Sequence, residues 1–148
     1  MRTNKLISQS DQQTILLGKK IARTLKGREI IGLSGSLGAG KTVLTRGILL
    51  GLGYRGIVTS PTFTIVKKYS LKGSKISTVF HVDAYRLKTL ADAMSAGLFD
   101  FFDQPNSVVI IEWIENIKKF LPQISLLITI KHSSKNIKIR RITIKSKT

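Results

Sequence analysis

The sequence predicts an α/β domain in which helices flank a mixed sheet. Three observations carry that reading. An apolar segment, Glu29–Leu33, runs directly into a glycine loop and then into a helical stretch ending near Gly51 and Gly53. Two extended segments, 59–71 and 75–85, surround a turn at Lys72–Gly73–Ser74 and suggest an antiparallel hairpin. Beyond residue 106 the strand-like segments cluster. Alternation first and clustering later argue for three layers, with a sheet between helices.

Each element has a local reason. Residues 11–26, DQQTILLGKKIARTLK, place Ile15, Leu16, Ala22 and Leu25 near one face of a helix, and Asp11 is its expected N-cap. EIIGL at 29–33 reads as a short buried strand, and KTVLTRGILLGL at 41–52 as the next helix, closed by its glycines. Residues 88–103 read as helix, followed by a polar loop at 104–106. Ser107–Ile111 is expected as a central apolar strand, LLITI at 126–130 as another, and IKIRRITI at 137–144 as a charged edge strand.

The chain has 148 residues, enough for one domain spanning 1–148, and shows neither repeat nor linker. It has no cysteine, which excludes disulfides and thiolate metal sites. MRTNKLISQSDQQ lacks the apolar core of a signal peptide, and the strongest apolar run, VVIIEWI at 108–114, is too short to span a bilayer. A cytoplasmic location is the expectation. The formal net charge is +17, a field that attracts nucleic acid or an acidic protein surface; a lysine-rich compositional bias is the alternative reading. Six of the eight acids lie between Asp83 and Glu115, whereas the tail after Ile130, about 131–148, carries seven Lys and Arg and no acid.

The chemistry starts at Gly35-Ser36-Leu37-Gly38-Ala39-Gly40-Lys41-Thr42, a full match to G-x-x-x-x-G-K-[ST]. Its glycines permit backbone angles that let successive N–H groups converge on phosphate oxygens, and the helix that follows directs its positive end at the same anion. Lys41 is placed to bridge the β- and γ-phosphates of a nucleotide, and the Thr42 hydroxyl to ligate Mg²⁺. Such proteins commonly hold the metal with a second acid at the end of an apolar strand. Val108-Val109-Ile110-Ile111-Glu112 supplies it, with a carboxylate that needs a cation or donors to sit there. Asp83, in HVDAYR at 81–86, ends another apolar strand and is a candidate for ordering an attacking water; an Asp83–Arg86 pair capping the strand end is the alternative, and His81 reads as structural. The hydroxyls of Ser60-Pro61-Thr62-Phe63-Thr64 suit either a nucleotide-sensing loop or a rigid turn. No Asn-Lys-x-Asp guanine-reading signal is present, which favours ATP.

GSLGAGKTVLTRG, SPTFTIVKKY, HVDAYRL, GLFDFFD and VVIIEW occur in this order at close spacings. The set resembles the TsaE (YjeE) family of small bacterial ATPases over most of the chain. The resemblance implies a P-loop NTPase-like fold and an accessory role in making threonylcarbamoyladenosine in tRNAs that read codons starting with A. It implies ATP hydrolysis alongside TsaD and TsaB; the +17 charge, read separately, adds tRNA as a partner through the basic surface. By position, it implies nucleotide contacts from Leu37 to Thr42, Mg²⁺ ligation by Thr42 and Glu112, and an essential acid at Asp83. Thr62 and Thr64 would lie in a switch-like loop, and Asp11 would approach the adenosine. Ser36 and Val43 depart from the family's usual Asp and Thr, and KTLADAMSA lacks its acidic Pro-Glu-Glu character. A small P-loop kinase and a nucleotide-gated RNA-binding module are the competing readings.

Overall fold

The computed structural model describes residues 1–147, so Thr148, the last residue of the expected basic tail, lies outside the described residues. Strands β1 (Arg2–Ser8), β2 (Ile30–Ser34), β3 (Val66–Ser70), β4 (Thr78–Asp83), β5 (Ser107–Glu112), β6 (Leu126–His132) and β7 (Arg140–Ser146) form one sheet in the order β1-β7-β6-β2-β5-β4-β3. The four central strands, β6, β2, β5 and β4, are parallel, and the pairs at either flank are antiparallel. The sheet is therefore mixed, as expected.

Helices α1 (Asp11–Ala22) and α2 (Lys41–Gly51) cover one face, while α3 (Leu90–Ser95), α4 (Leu98–Phe102) and two short 3-10 turns cover part of the other. β5 shows why the centre reads as unbroken apolar sequence. Val108 and Ile110 join the core under α1 and α2, Val109 and Ile111 the opposite core, and all six of its residues are buried. α1 and α2 cross closely because glycine faces glycine. A Cβ on Gly47 would lie 2.5 Å from the Ile15 carbonyl oxygen, and one on Gly18 would lie 2.7 Å from the α2 backbone.

Several sequence expectations need correction. Ser10, not Asp11, caps α1: its side chain accepts from the Gln13 N–H, and Asp11 is the first helical residue. Ser10 has the extended backbone that a cap needs, with φ −159°. The 88–103 helix is two short helices, broken where Gly97 turns left-handed at φ 75°. β7 begins at Arg140 and is interior, because β1 pairs along its full length and takes the edge position. β1 carries little apolar pattern, only Ser8 of it being buried, so hydrogen bonding to β7 rather than core burial defines it.

Candidate functional site

β2 is the point at which the chain order of the sheet reverses, with β5 on one side and β6 on the other. In open α/β sheets ligands bind outside the carboxyl ends of the strands at such a point. Here the glycine loop leaves β2, α2 starts at Lys41, and β4 and β5 end in register at Asp83 and Glu112. These ends surround a cleft of ≈ 520 Å³ whose lining includes Lys41, Thr42, Asp83, Glu112, Trp113 and Arg140.

The loop is shaped for an anion. Gly40, at φ 110°, is the N-cap of α2 and offers no side-chain acceptor, so the first N–H groups of the helix are left for a ligand. A Cβ at Gly40 would also strike the Arg140 guanidinium at 2.7 Å. Leu37 and Gly38 line the cleft, whereas Ala39 is fully buried beneath the loop. Lys41 turns back on the loop, donating from Nζ to the carbonyls of Gly35 at 2.5 Å and Ser36 at 3.0 Å. Its ammonium lies 4.4 Å from the centre of the Trp113 ring. Burial lowers the Lys41 pKa, and the charges of Glu112, Glu115 and Asp83 oppose that shift.

Glu112 is 3% exposed, and its Oε1 accepts from the Thr42 hydroxyl at 3.1 Å and from His81 Nε2 at 2.9 Å. The donors that a buried carboxylate requires are thus present, and one is a residue read from the sequence as structural. His81 lies two residues before Asp83 on β4 and on the same face of the strand, fully buried, with Nδ1 left without a partner among the described residues. Asp83 Oδ1 accepts from the Tyr85 N–H at 2.9 Å, while its own N–H donates to the Ile65 carbonyl at 2.8 Å. Among the described residues, no ion pair joins Asp83 to Arg86. Ser60 and Thr62 line the cleft, Thr64 is exposed, and Ile65 closes the loop at a positive φ of 66°, a strained backbone for a β-branched residue.

Asp11 is not among the residues lining the cleft. It holds Arg140, accepting from Nη2 at 2.6 Å, and Nη1 donates to Thr14 at 2.9 Å. Arg140, 7% exposed and packed on Gly40, is one of two site residues not read from the sequence. Its signal was present in IKIRRITI: strand alternation sends Arg140 and Arg141 to opposite faces, so one of the two had to point toward α1 and α2. Trp113 was missed too; its left-handed backbone, φ 59°, follows Glu112 directly and turns the ring onto Lys41.

The arrangement can hold a polyphosphate at the start of α2 and offers adjacent carboxylate and hydroxyl oxygens to a hard cation. Among the described residues no cluster of three His, Asp or Glu forms a complete metal cage, and none of their helices is long and apolar enough to cross a membrane.

Comparison with known proteins gives one family. A family model described as "Threonylcarbamoyl adenosine biosynthesis protein TsaE" matches residues 8–142. The tRNA threonylcarbamoyladenosine biosynthesis protein TsaE of Haemophilus influenzae is 38% identical over 129 residues, covering 82% of this chain and 79% of that one. Its counterpart in Bacillus subtilis is 35% identical over 133 residues, covering 90% and 80%. The crystal structure of Bacillus subtilis YdiB superposes with a TM-score of 0.79 at 32% identity, covering 98% of this chain and 86% of that one. The chain belongs to the TsaE family, whose members take part in tRNA threonylcarbamoyladenosine biosynthesis.

Proposed function

We propose that the cleft binds Mg-ATP and that the chain hydrolyses it in the cytoplasm as an accessory protein of TsaD and TsaB. In this role it supports the threonylcarbamoyladenosine modification of tRNAs that read codons starting with A. The observation that carries the reading is the 3.1 Å contact between Thr42 and Glu112 at the mouth of the glycine loop. Two oxygen ligands on one side suit Mg²⁺, which takes one or two protein oxygens and completes its shell with phosphate and water. Held by Thr42 and Glu112, such a cation would supply positive charge against the phosphates.

The chain's own groups do the rest. The N–H groups from Leu37 to Thr42 cradle the phosphates, and Lys41 exchanges the carbonyls of Gly35 and Ser36 for phosphate oxygens. Thr42 and Glu112 hold the metal, and His81 fixes the Glu112 carboxylate. Asp83, at the same end of the sheet as Glu112, orients the attacking water. Asp11 acts at the nucleotide through Arg140.

The test is ATP hydrolysis by the purified chain, alone and with TsaD and TsaB. Stimulation by the partners, lost in Glu112→Ala, is expected. Hydrolysis that the partners leave unchanged would overturn the accessory role.

A further inference from the structure

The helices leave part of the sheet bare. α1 and α2 pack on one side of β6, β7 and β1, where Ile128, Ile130, Ile142 and Ile144 meet their core. Side chains of the alternate register positions point the other way. Pairing arranges them in three rows across the strands: Thr3–Lys145–Leu127, Lys5–Thr143–Thr129 and Ile7–Arg141–Lys131. Lys5, Lys131, Arg141 and Lys145 are exposed, and Ile7 is 66% exposed. α3, α4 and the 3-10 turns gather instead over β2, β4 and β5 and reach β6 at Leu127, so the face is open from Lys145 and Thr129 outward to β1.

This face collects one sign of charge. β1, β6 and β7 contain no Asp or Glu, so the four cations have no acid on their own strands. The twin arginines of β7 divide by function: Arg140 turns inward to the nucleotide cleft and Arg141 outward to this surface. With strands about 4.8 Å apart and alternate residues about 7 Å apart, the rows span roughly 10 by 14 Å. Threonine hydroxyls lie between the cations and supply donors suited to phosphate oxygens. Ile7 is the only large exposed apolar group in the rows, so the surface has little to insert into a lipid layer.

We propose that the open β1–β7–β6 face docks the phosphate backbone of an RNA. The choice of RNA rests on the reading of this chain as a component of tRNA modification. Arg140 and Arg141, adjacent on one strand, then tie the docking face to the nucleotide cleft.

The experiment measures binding of an unmodified tRNA transcript against salt concentration. It compares the wild type, a variant with Lys5, Lys131, Arg141 and Lys145 all changed to Gln, and a control with Arg23, Lys72, Lys75 and Lys118 changed to Gln. Both variants lose the same charge, and none of these residues touches the cleft. The face variant is expected to bind tRNA at least tenfold more weakly near 0.1 M salt, its salt slope reduced by about three, at roughly 0.7–0.9 per cation. The control is expected to stay within about threefold of the wild type. ATP binding, expected unchanged in both, verifies the fold. Equal losses in the two variants, no loss in either, or binding to anionic phospholipid vesicles in preference to tRNA overturns the proposal. Partner-stimulated ATP hydrolysis by the same preparations separates the outcomes. If stimulation persists without face-dependent tRNA binding, the docking face falls and the accessory role stands. If tRNA binding persists without stimulation, the reverse holds.

Discussion

Glu112 shows what a single residue's surroundings reveal and what its sequence neighbours conceal. Four apolar residues followed by an acid mark a strand-end carboxylate, and that much was legible. The partner His81 was not, because it lies 31 positions earlier and only the parallel pairing of β4 with β5 brings the two together. If His81 holds Glu112 for the metal, His81→Leu leaves the carboxylate one donor short, at a cost of about 1–3 kcal/mol. Mg-dependent ATP binding is expected to weaken by roughly tenfold, while His81→Gln, whose amide can donate from a similar place, restores it. Equal binding by the Leu and Gln variants in a magnesium titration would assign His81 to packing alone. Asp83 is tested differently. Asn keeps the oxygen that accepts from Tyr85 but removes the charge. Asp83→Asn is expected to hold ATP within about tenfold of wild type, a difference of ~1.4 kcal/mol, while partner-stimulated turnover falls by about 10²-fold or more. A protein with a lowered Tm and full single-turnover activity would remove Asp83 from catalysis.

Among the elements, the sequence displays those that bury themselves and hides those held by pairing or by a cap. β2, β5 and β6 were legible as apolar runs, and α2 from the glycine loop before it. β1 was invisible, since all but one of its residues are exposed and its reason for existing is the edge of β7. The break between α3 and α4 was missed although Gly97 and a Thr-x-x-Asp signal were present. Thr89 accepts from the Asp92 N–H while Asp92 accepts from the N–H groups of Lys88 and Thr89, forming a capping box. Those backbone donors, Lys88 first, lower the Asp92 pKa below its usual 3.8. A carboxyl with a lowered folded pKa contributes stability that is fully present above 3.8 and lost as pH falls through the lower folded value. Asp92→Asn is therefore expected to melt below wild type at neutral pH, with the two melting curves converging as the solution is acidified past that range. Thr89→Ala, which removes the other half of the cap, is expected to cost ~0.5–2 kcal/mol at neutral pH. A gap between wild type and Asp92→Asn that does not change with pH would show that the charge plays no part.

Across the whole molecule, the layout decides which residues can cooperate. The loop after β2, the ends of β4 and β5, and the start of β7 come from segments spread over some 100 residues, yet they meet at one cleft because β2 is central in the sheet. The glycine loop, Thr42, Asp83 and Glu112 could be assembled from sequence because each carries its own local pattern. For Arg140 the alternation narrowed the choice to one of two arginines and no further, since which of them enters the cleft depends on β7 being interior and on α1 presenting Thr14 and Asp11 to the guanidinium. The central claim, a Mg-ATP site built on Lys41, Thr42 and Glu112, has a built-in reporter. Trp113 is the single tryptophan of the chain, and its ring lies 4.4 Å from the Lys41 ammonium. The direct measurement is ATP binding followed by Trp113 fluorescence across a magnesium titration. A saturable change is predicted for the wild type, a loss of its magnesium dependence for Glu112→Ala, and a steep fall in affinity for Lys41→Ala. Wild-type affinity in a folded Lys41→Ala protein, with the magnesium dependence of Glu112→Ala intact, would contradict it.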